Sequence, residues 1–306
     1  MGLPDYKMDY FTLFTVSRQL DAAKFESGKL QAEYRKFQSV YHPDQLHALD
    51  DKIKGVAASS KVDAAKVTED VEELLKDGSS FVGSGVATLK DSYRRARYMM
   101  HLIGAEEKMV EECWKSTAPV DASLKMAISS DKAFNLTRTC DNAERDRAGV
   151  ASVDDDANDE ATQPSGEVSK MWAATSQAHA SSAVRDDTDF LEEMFEFNVT
   201  LSDVKEEIEP ALTVTSGSAQ QAALKSLKED VLADDAKLME AAVAAFEEYA
   251  VARGKFESEW KGCIGGDETA QLATLAPYSE LSSKFKIAVL KWTYTQNLLR
   301  GIKELE

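Results

Sequence analysis

The chain has little cysteine: three residues among 306, at Cys113, Cys140 and Cys263. Their number is odd, they lie far apart, and no two of them form a Cys-x-x-Cys pair. This spacing favours ordinary reduced thiols over a disulfide framework or a zinc site. The spacing therefore predicts no zinc site, and we expect no other metal and no cofactor.

Basic residues are scarce relative to acidic ones, with 36 lysines and arginines against 54 aspartates and glutamates. A formal net charge of −18 makes nucleic acid and anionic membranes unfavourable partners, because both would repel the chain. We therefore expect neither as a partner, and any basic binding surface has to be local. The chain also lacks an apolar run of the roughly 18 residues that cross a bilayer. Its start lacks the apolar segment that a signal peptide needs.

Helix breakers are few, with six prolines and fifteen glycines, whereas Ala, Lys, Glu and Leu recur. The sequence therefore predicts an all-α protein. Residues 22–41 are typical of an amphipathic helix that ends before Pro43, since a residue preceding proline is driven out of the α region. Lys29, Arg35 and Lys36 lie off its apolar face and should point into water. That face is spaced i, i+4, i+7, i+11: Leu30, Tyr34, Phe37 and Tyr41.

The next part of the chain predicts two further helices, over residues 48–77 and 82–103. A break is expected at 76–80, where Gly78 is followed by two serines. Gly104 is suited to cap the second of these helices at its C-terminus.

Residues 105–188 change character and predict an acidic, largely disordered insert. Short helices are possible near 105–114 and 122–134. Residues 149–182 have few apolar side chains and include the acidic run Asp154-Asp155-Asp156. Such a composition is typical of disorder.

From residue 189 onward the pattern is helical again and predicts a three-helix bundle over 189–306. Its first helix carries a heptad-like stripe at steps of 4, 3, 4, 3 and 4: Phe190, Met194, Phe197, Leu201, Val204 and Ile208. A second helix is marked by Leu224, Leu227, Val231, Leu238 and Phe246. A loop is expected over 264–277, and the third helix over 281–305.

The sharpest motif is the tripeptide His42-Pro43-Asp44, which directly follows the basic-faced helix. This arrangement resembles the J domain of DnaJ-type co-chaperones. Residues 8–14 (MDYFTLF), 89–104 (LKD…RARYMMHLIG) and 190–196 (FLEEMFE) are similar to segments of the HscB branch of J proteins. The resemblance covers residues 8–44, 86–104 and 189–306, so both ends of the chain agree.

The resemblance implies a J domain over 8–104, formed by a helical hairpin with a His-Pro-Asp loop, joined through the insert to the C-terminal bundle. HscB proteins stimulate ATP hydrolysis by a DnaK/HscA-type chaperone and bring it the IscU/Isu-type scaffold protein for iron–sulfur clusters. The residues implied to contact the chaperone are His42, Pro43, Asp44, Arg35, Lys36 and Lys29. Arg35, Lys36 and Lys29 would meet an acidic groove by charge complementarity.

A second implied site binds the scaffold protein through Leu191, Phe195, Glu196 and Tyr294. Leu191 and Phe195 lie about 100° around the helix from the core stripe, so they form apolar surface in excess of the core. From the residues alone, the core of a wider bundle face is the better interpretation of these positions. The family match favours the binding role.

This chain departs from the family pattern at several positions. Gln45 replaces a lysine that often follows the tripeptide, and Ser92 replaces a proline. Gly83 and Gly85 each cost about 1 kcal/mol against alanine inside a helix, so that helix should start late. The compact family members lack both the insert and the long 45–80 stretch.

Three other functions stay open. The chain could be a J protein for other clients, a non-catalytic helical interaction protein, or an enzyme. The last is disfavoured because no nucleophile–base motif, metalloprotease motif or phosphate-binding loop is present. The resemblance implies the mitochondrial matrix as the compartment, with the cytoplasm as the alternative, although no presequence is visible.

Overall fold

The computed structural model describes residues 8–60, 63–115, 167–211, 217–263 and 268–305. Every regular element in these ranges is an α-helix, as the composition predicts. The helices are α1 (Tyr10–Leu13), α2 (Ser27–Tyr41), α3 (Gln45–Ser60), α4 (Ala64–Lys90), α5 (Ser92–Lys115), α6 (Glu167–Thr175), α7 (Gln177–Arg185), α8 (Thr188–Ala211), α9 (Gly217–Cys263) and α10 (Glu268–Leu305).

The chain divides into two compact units. Among the described residues, the N-terminal unit holds 8–102, and the C-terminal unit holds 103–115 and 167–305. The division falls within α5.

In the N-terminal unit, α1, α2 and α3 all pack against α4. The predicted stripe of α2 faces inward at both ends, where Leu30 and Tyr41 are buried. Asp9 caps α1 by accepting the Thr12 backbone N–H at 3.1 Å. The fully buried aromatic and aliphatic side chains of this unit include Phe11, Phe14, Leu20, Leu30, Leu89, Tyr98 and Met99.

Helix α4 runs without interruption through the break predicted at 76–80, and it begins far earlier than the glycines suggested. The reason is close packing. A Cβ on Gly78 would lie 2.8 Å from the Tyr41 ring, and one on Gly85 would lie 2.8 Å from the Tyr10 ring. These two glycines let α2 and α1 approach the backbone of α4, so tertiary contact outweighs their low helix propensity.

The chain turns sharply between α4 and α5, within the single helix predicted for 82–103. Asp91 ends α4, and its side chain accepts the Arg94 backbone N–H at 2.8 Å to start α5. Arg95 is buried at this corner, where its guanidinium donates to the carbonyls of Leu89 at 2.6 Å and Leu20 at 2.9 Å. The same group lies 4.0 Å from the centre of the Phe25 ring. Arg95 thus fastens the segment between α1 and α2 to the α4–α5 corner.

In the C-terminal unit, α8, α9 and α10 pack together around the predicted stripes. Phe190, Met194 and Val204 of α8 are buried, whereas Phe197 and Leu201 are half-buried. Helices α9 and α10 are longer than predicted. Helix α10 begins at Glu268 and passes through Pro277, where the sequence predicted a loop.

The C-terminal unit also includes segments assigned to the acidic insert. Helix α5 extends to Lys115, and α6 and α7 pack against α10. Trp172 is buried and lies edge-on to Phe256 and Tyr278. Residues 167–182 are therefore helical rather than disordered, because Trp172 and Ala180 are buried in the C-terminal unit. The remainder of the predicted insert, 116–166, lies outside the described residues.

Candidate functional site

The His42-Pro43-Asp44 tripeptide forms the short turn between α2 and α3. Tyr41, the last residue of α2, is buried, whereas the three residues after it are exposed. His42 has the extended backbone that a following proline requires, with φ −64° and ψ 135°. Its N–H still donates to the Gln38 carbonyl at 3.0 Å, so the turn stays attached to the last turn of α2.

Within the turn, His42 and Asp44 contact each other. The Asp44 backbone N–H donates to His42 Nδ1 at 3.3 Å, and the Asp44 carboxylate lies 3.3 Å from the same nitrogen. The first contact uses Nδ1 as an acceptor, which places the hydrogen of a neutral imidazole on Nε2, whereas a hydrogen bond to the carboxylate needs an N–H at Nδ1. The two contacts therefore belong to different protonation forms of the ring. The side chains are 50% and 85% exposed, so a donor and a carboxylate are presented side by side to solvent.

The three basic residues predicted beside this turn are all exposed on α2. Lys29 pairs with Glu26 at 3.5 Å, and Lys36 pairs with Glu33 at 2.6 Å. Such exposed pairs contribute little and exchange readily for a partner's carboxylates. Arg35 has no carboxylate partner among the described residues.

The register of α2 aligns Arg35 with the start of the turn. Arg35 lies seven residues before His42, which is close to two full turns and about 10 Å along the axis. Because the His42 N–H keeps its helical bond to Gln38, His42 leaves α2 on the face that carries Arg35. Pro43 follows the extended His42 backbone and lies outside this register.

Charge is distributed unevenly along the chain. Residues 8–102 contain fourteen basic and fourteen acidic residues, so their net charge is zero. Residues 103–306 carry the whole net charge of −18. The basic face of α2 is therefore in the part of the sequence where an acidic partner meets the least net repulsion.

The predicted scaffold-binding residues lie on α8 and α10 of the C-terminal unit. Phe195 is 68% exposed, Glu196 is exposed, and Tyr294 is 36% exposed. Leu191 is half-buried, because part of its side chain packs against the core. Tyr294 reaches α8 by an edge-on contact with Phe190, with ring centres 5.5 Å apart.

Sequence reasoning missed Val199, which is 42% exposed on α8. It continues the spacing of Leu191 and Phe195 by four more residues, so the signal was present in the sequence. We call Leu191, Phe195, Val199 and Tyr294 the apolar surface of the C-terminal unit.

Sequence reasoning also missed a buried polar cluster in the C-terminal unit. Lys286 of α10 donates to the Glu107 carboxylate of α5 and to the carbonyl of Thr175, and Ser282 donates to the same carboxylate. Burial raises the pKa of Glu107, and Lys286 opposes this shift. The cluster ties three separate segments together and is structural in character.

The described ranges hold no group of three or more His, Cys, Asp or Glu side chains that could bind a metal ion. Within the same ranges, no helix combines the length and the apolar character of a membrane span. No family model, curated protein or solved structure matches this chain.

Proposed function

We propose that the protein is a J-type co-chaperone of the HscB kind. It would stimulate ATP hydrolysis by a DnaK/HscA-type chaperone and deliver an IscU/Isu-type iron–sulfur scaffold protein to it. The observation that carries the proposal is the exposed His42-Pro43-Asp44 turn at the end of a helix with an exposed basic face. The sequence resemblance supplies the identity of the partners.

The turn suits a contact that biases the chaperone's conformation rather than a chemical step. Asp44 offers a carboxylate, His42 offers an Nε2–H donor, and Pro43 restricts the backbone that holds them. Arg35, Lys36 and Lys29 would approach an acidic groove, where exposed charges mainly raise the association rate. In this proposal the protein is not itself an enzyme.

The client site of the proposal is the apolar surface of the C-terminal unit with Glu196 beside it. Phe195 is the most exposed aromatic side chain of this surface and Tyr294 comes from a second helix. Anchors of this type dominate the energy of protein interfaces. By resemblance the compartment would be the mitochondrial matrix, or the cytoplasm.

Single-turnover ATP hydrolysis by a purified DnaK/HscA-type chaperone tests the proposal. The wild-type protein should accelerate hydrolysis, and Asp44→Asn should abolish the acceleration. Asp50→Asn is the matched control, because Asp50 is an exposed aspartate on the adjoining α3. Equal stimulation by wild type and Asp44→Asn would reject the J-type assignment.

A J protein for other clients is the second candidate, because α3 (Gln45–Ser60) and the length of 45–80 depart from the compact HscB members. Titration with a purified IscU-type scaffold protein separates the two. Stimulation without scaffold binding supports other clients. Scaffold binding without stimulation supports a helical interaction protein that acts on no chaperone.

A further inference from the structure

The first turn of α8 is joined to α10 by Asp187 and Lys291. Asp187 lies directly before α8 and caps it, since its carboxylate accepts the Phe190 backbone N–H at 3.1 Å. The same carboxylate accepts a hydrogen bond from Lys291 of α10. The Asp187 carbonyl also accepts the Leu191 backbone N–H at 3.1 Å. One residue therefore connects Lys291 to the backbone of the turn that carries Leu191.

The Phe190 ring is held by two side chains of α10. Lys291 Nζ lies 4.8 Å from the ring centre, and Tyr294 meets the ring edge-on. Lys291 and Tyr294 are three residues apart, so they are neighbours on one helix face. Phe190 is itself buried at the edge of the core cluster, so Lys291 and Tyr294 contact a ring that also packs against the bundle interior.

Together these contacts join the two helices that form the apolar surface. Leu191 and Phe195 follow the capped turn on α8, and Tyr294 stands one turn from Lys291 on α10. A surface built from two helices binds well only if both are held in the bound arrangement beforehand, since ordering on binding costs affinity. Hydrogen bonding from Lys291 lowers the pKa of Asp187, so this carboxyl group stays ionised at neutral pH.

We infer that Lys291 is a positioning residue for the apolar surface: through Asp187 and Phe190 it holds Leu191 and Phe195 in register with Tyr294 for partner binding. The identity of the partner rests on the proposed function, whereas the register of α8 against α10 does not. Lys291 is only 23% exposed, so its effect on a partner acts through α8 rather than by direct contact.

The test measures binding of a purified IscU-type scaffold protein by calorimetry. Lys291→Met keeps the length of the side chain and removes its charge, and we expect affinity to fall by about five- to tenfold per folded molecule. Lys291→Arg should restore affinity to within about twofold, because arginine can pair with Asp187 and stack on Phe190. Lys284→Met is the matched control: it removes an α10 lysine that pairs with Glu248 at 2.6 Å.

If the wild type does not bind the scaffold protein, the proposed client is rejected. A second measurement then still tests the register of α8 against α10. Nuclear Overhauser contacts between the Phe190 and Tyr294 rings should be strong in the wild type and in Lys284→Met. They should weaken in Lys291→Met and return in Lys291→Arg. Unchanged ring contacts, or unchanged affinity of Lys291→Met for a scaffold that binds the wild type, would overturn the inference.

Discussion

The backbone N–H of Tyr10 donates to the hydroxyl of Tyr98 at 2.9 Å, which joins the start of α1 to α5. The N–H groups of a first helical turn have no partner within the helix, so Tyr98 supplies one. Tyr98 is almost completely buried, and burial raises its pKa well above the usual range. The two segments joined by this bond, 8–14 and 89–104, are both part of the sequence resemblance.

Tyr98→Phe removes this bond and leaves the Tyr10 N–H buried without an acceptor. We expect a loss of about 1–3 kcal/mol in the free energy of unfolding, measured by urea denaturation. Tyr34→Phe is the control and should be nearly neutral, because the Tyr34 hydroxyl makes no hydrogen bond to another described residue. Equal stability of the two variants would contradict the role given to Tyr98.

Gly78 and Gly83 lie on the same helix and should respond oppositely to alanine. A Cβ at Gly78 would meet the Tyr41 ring at 2.8 Å, whereas nothing lies within 4 Å of one at Gly83. Gly78→Ala should cost about 1–3 kcal/mol, because it overpacks the α2–α4 contact. Gly83→Ala should stabilise α4 by up to about 1 kcal/mol.

The Gly78 substitution also carries a functional expectation. Tyr41 immediately precedes His42, so displacement of its ring should disturb the exposed turn and, under the proposed function, lower stimulation of the chaperone ATPase. Gly83→Ala should stimulate as the wild type does. If the Gly78→Ala protein is fully folded and stimulates ATP hydrolysis at the wild-type rate, the turn is independent of the contact between Gly78 and Tyr41.

The predictable parts of the fold are those encoded by apolar spacing. The stripes of α2 and α8 point inward because a period near 3.6 residues places their side chains on one face. The continuity of α4 was not predictable from local sequence. Gly78 and Gly85 suit this helix only because the rings of Tyr41 and Tyr10 occupy the space that a Cβ would need. Helix α6 escaped prediction because its burial depends on Trp172 inside an acidic segment.

The exposed side chains of the candidate sites were predictable by the same spacing. Lys29, Arg35 and Lys36 lie outside the α2 stripe and face solvent, as expected. Leu191 differs, since a position next to the core stripe becomes half-buried where α10 packs against α8. The Glu107–Lys286 pair could not be predicted, because 179 residues separate its partners.

His101 should make the N-terminal unit sensitive to mild acid. Burial, with Arg97 nearby, lowers the pKa of His101 below its ordinary value of 6.5. As the pH falls below 6.5, His101 binds a proton in the unfolded chain but stays neutral in the folded chain. The free energy of unfolding therefore decreases. The slope for one group is at most about 1.4 kcal/mol per pH unit.

Hydrogen exchange of slowly exchanging α5 amides between pH 7 and pH 5 measures this effect. His101→Gln should show a smaller loss of protection than the wild type, because its side chain does not titrate. Identical pH profiles would mean that carboxylates elsewhere account for the whole dependence.

The buried pair of Glu107 and Lys286 should show strong coupling in the C-terminal unit. Lys286→Met leaves a buried carboxylate without its cation, and we expect a loss of about 3–5 kcal/mol at pH 7. That loss should shrink toward pH 5, since the pKa of Glu107 is already raised by burial and would rise further without Lys286.

The double change Glu107→Met with Lys286→Met should cost less than the sum of the single changes. It still leaves Ser282 and the Thr175 carbonyl without the partners they have now, so some loss remains. Additive single changes in urea unfolding would show that the pair contributes no mutual stabilisation.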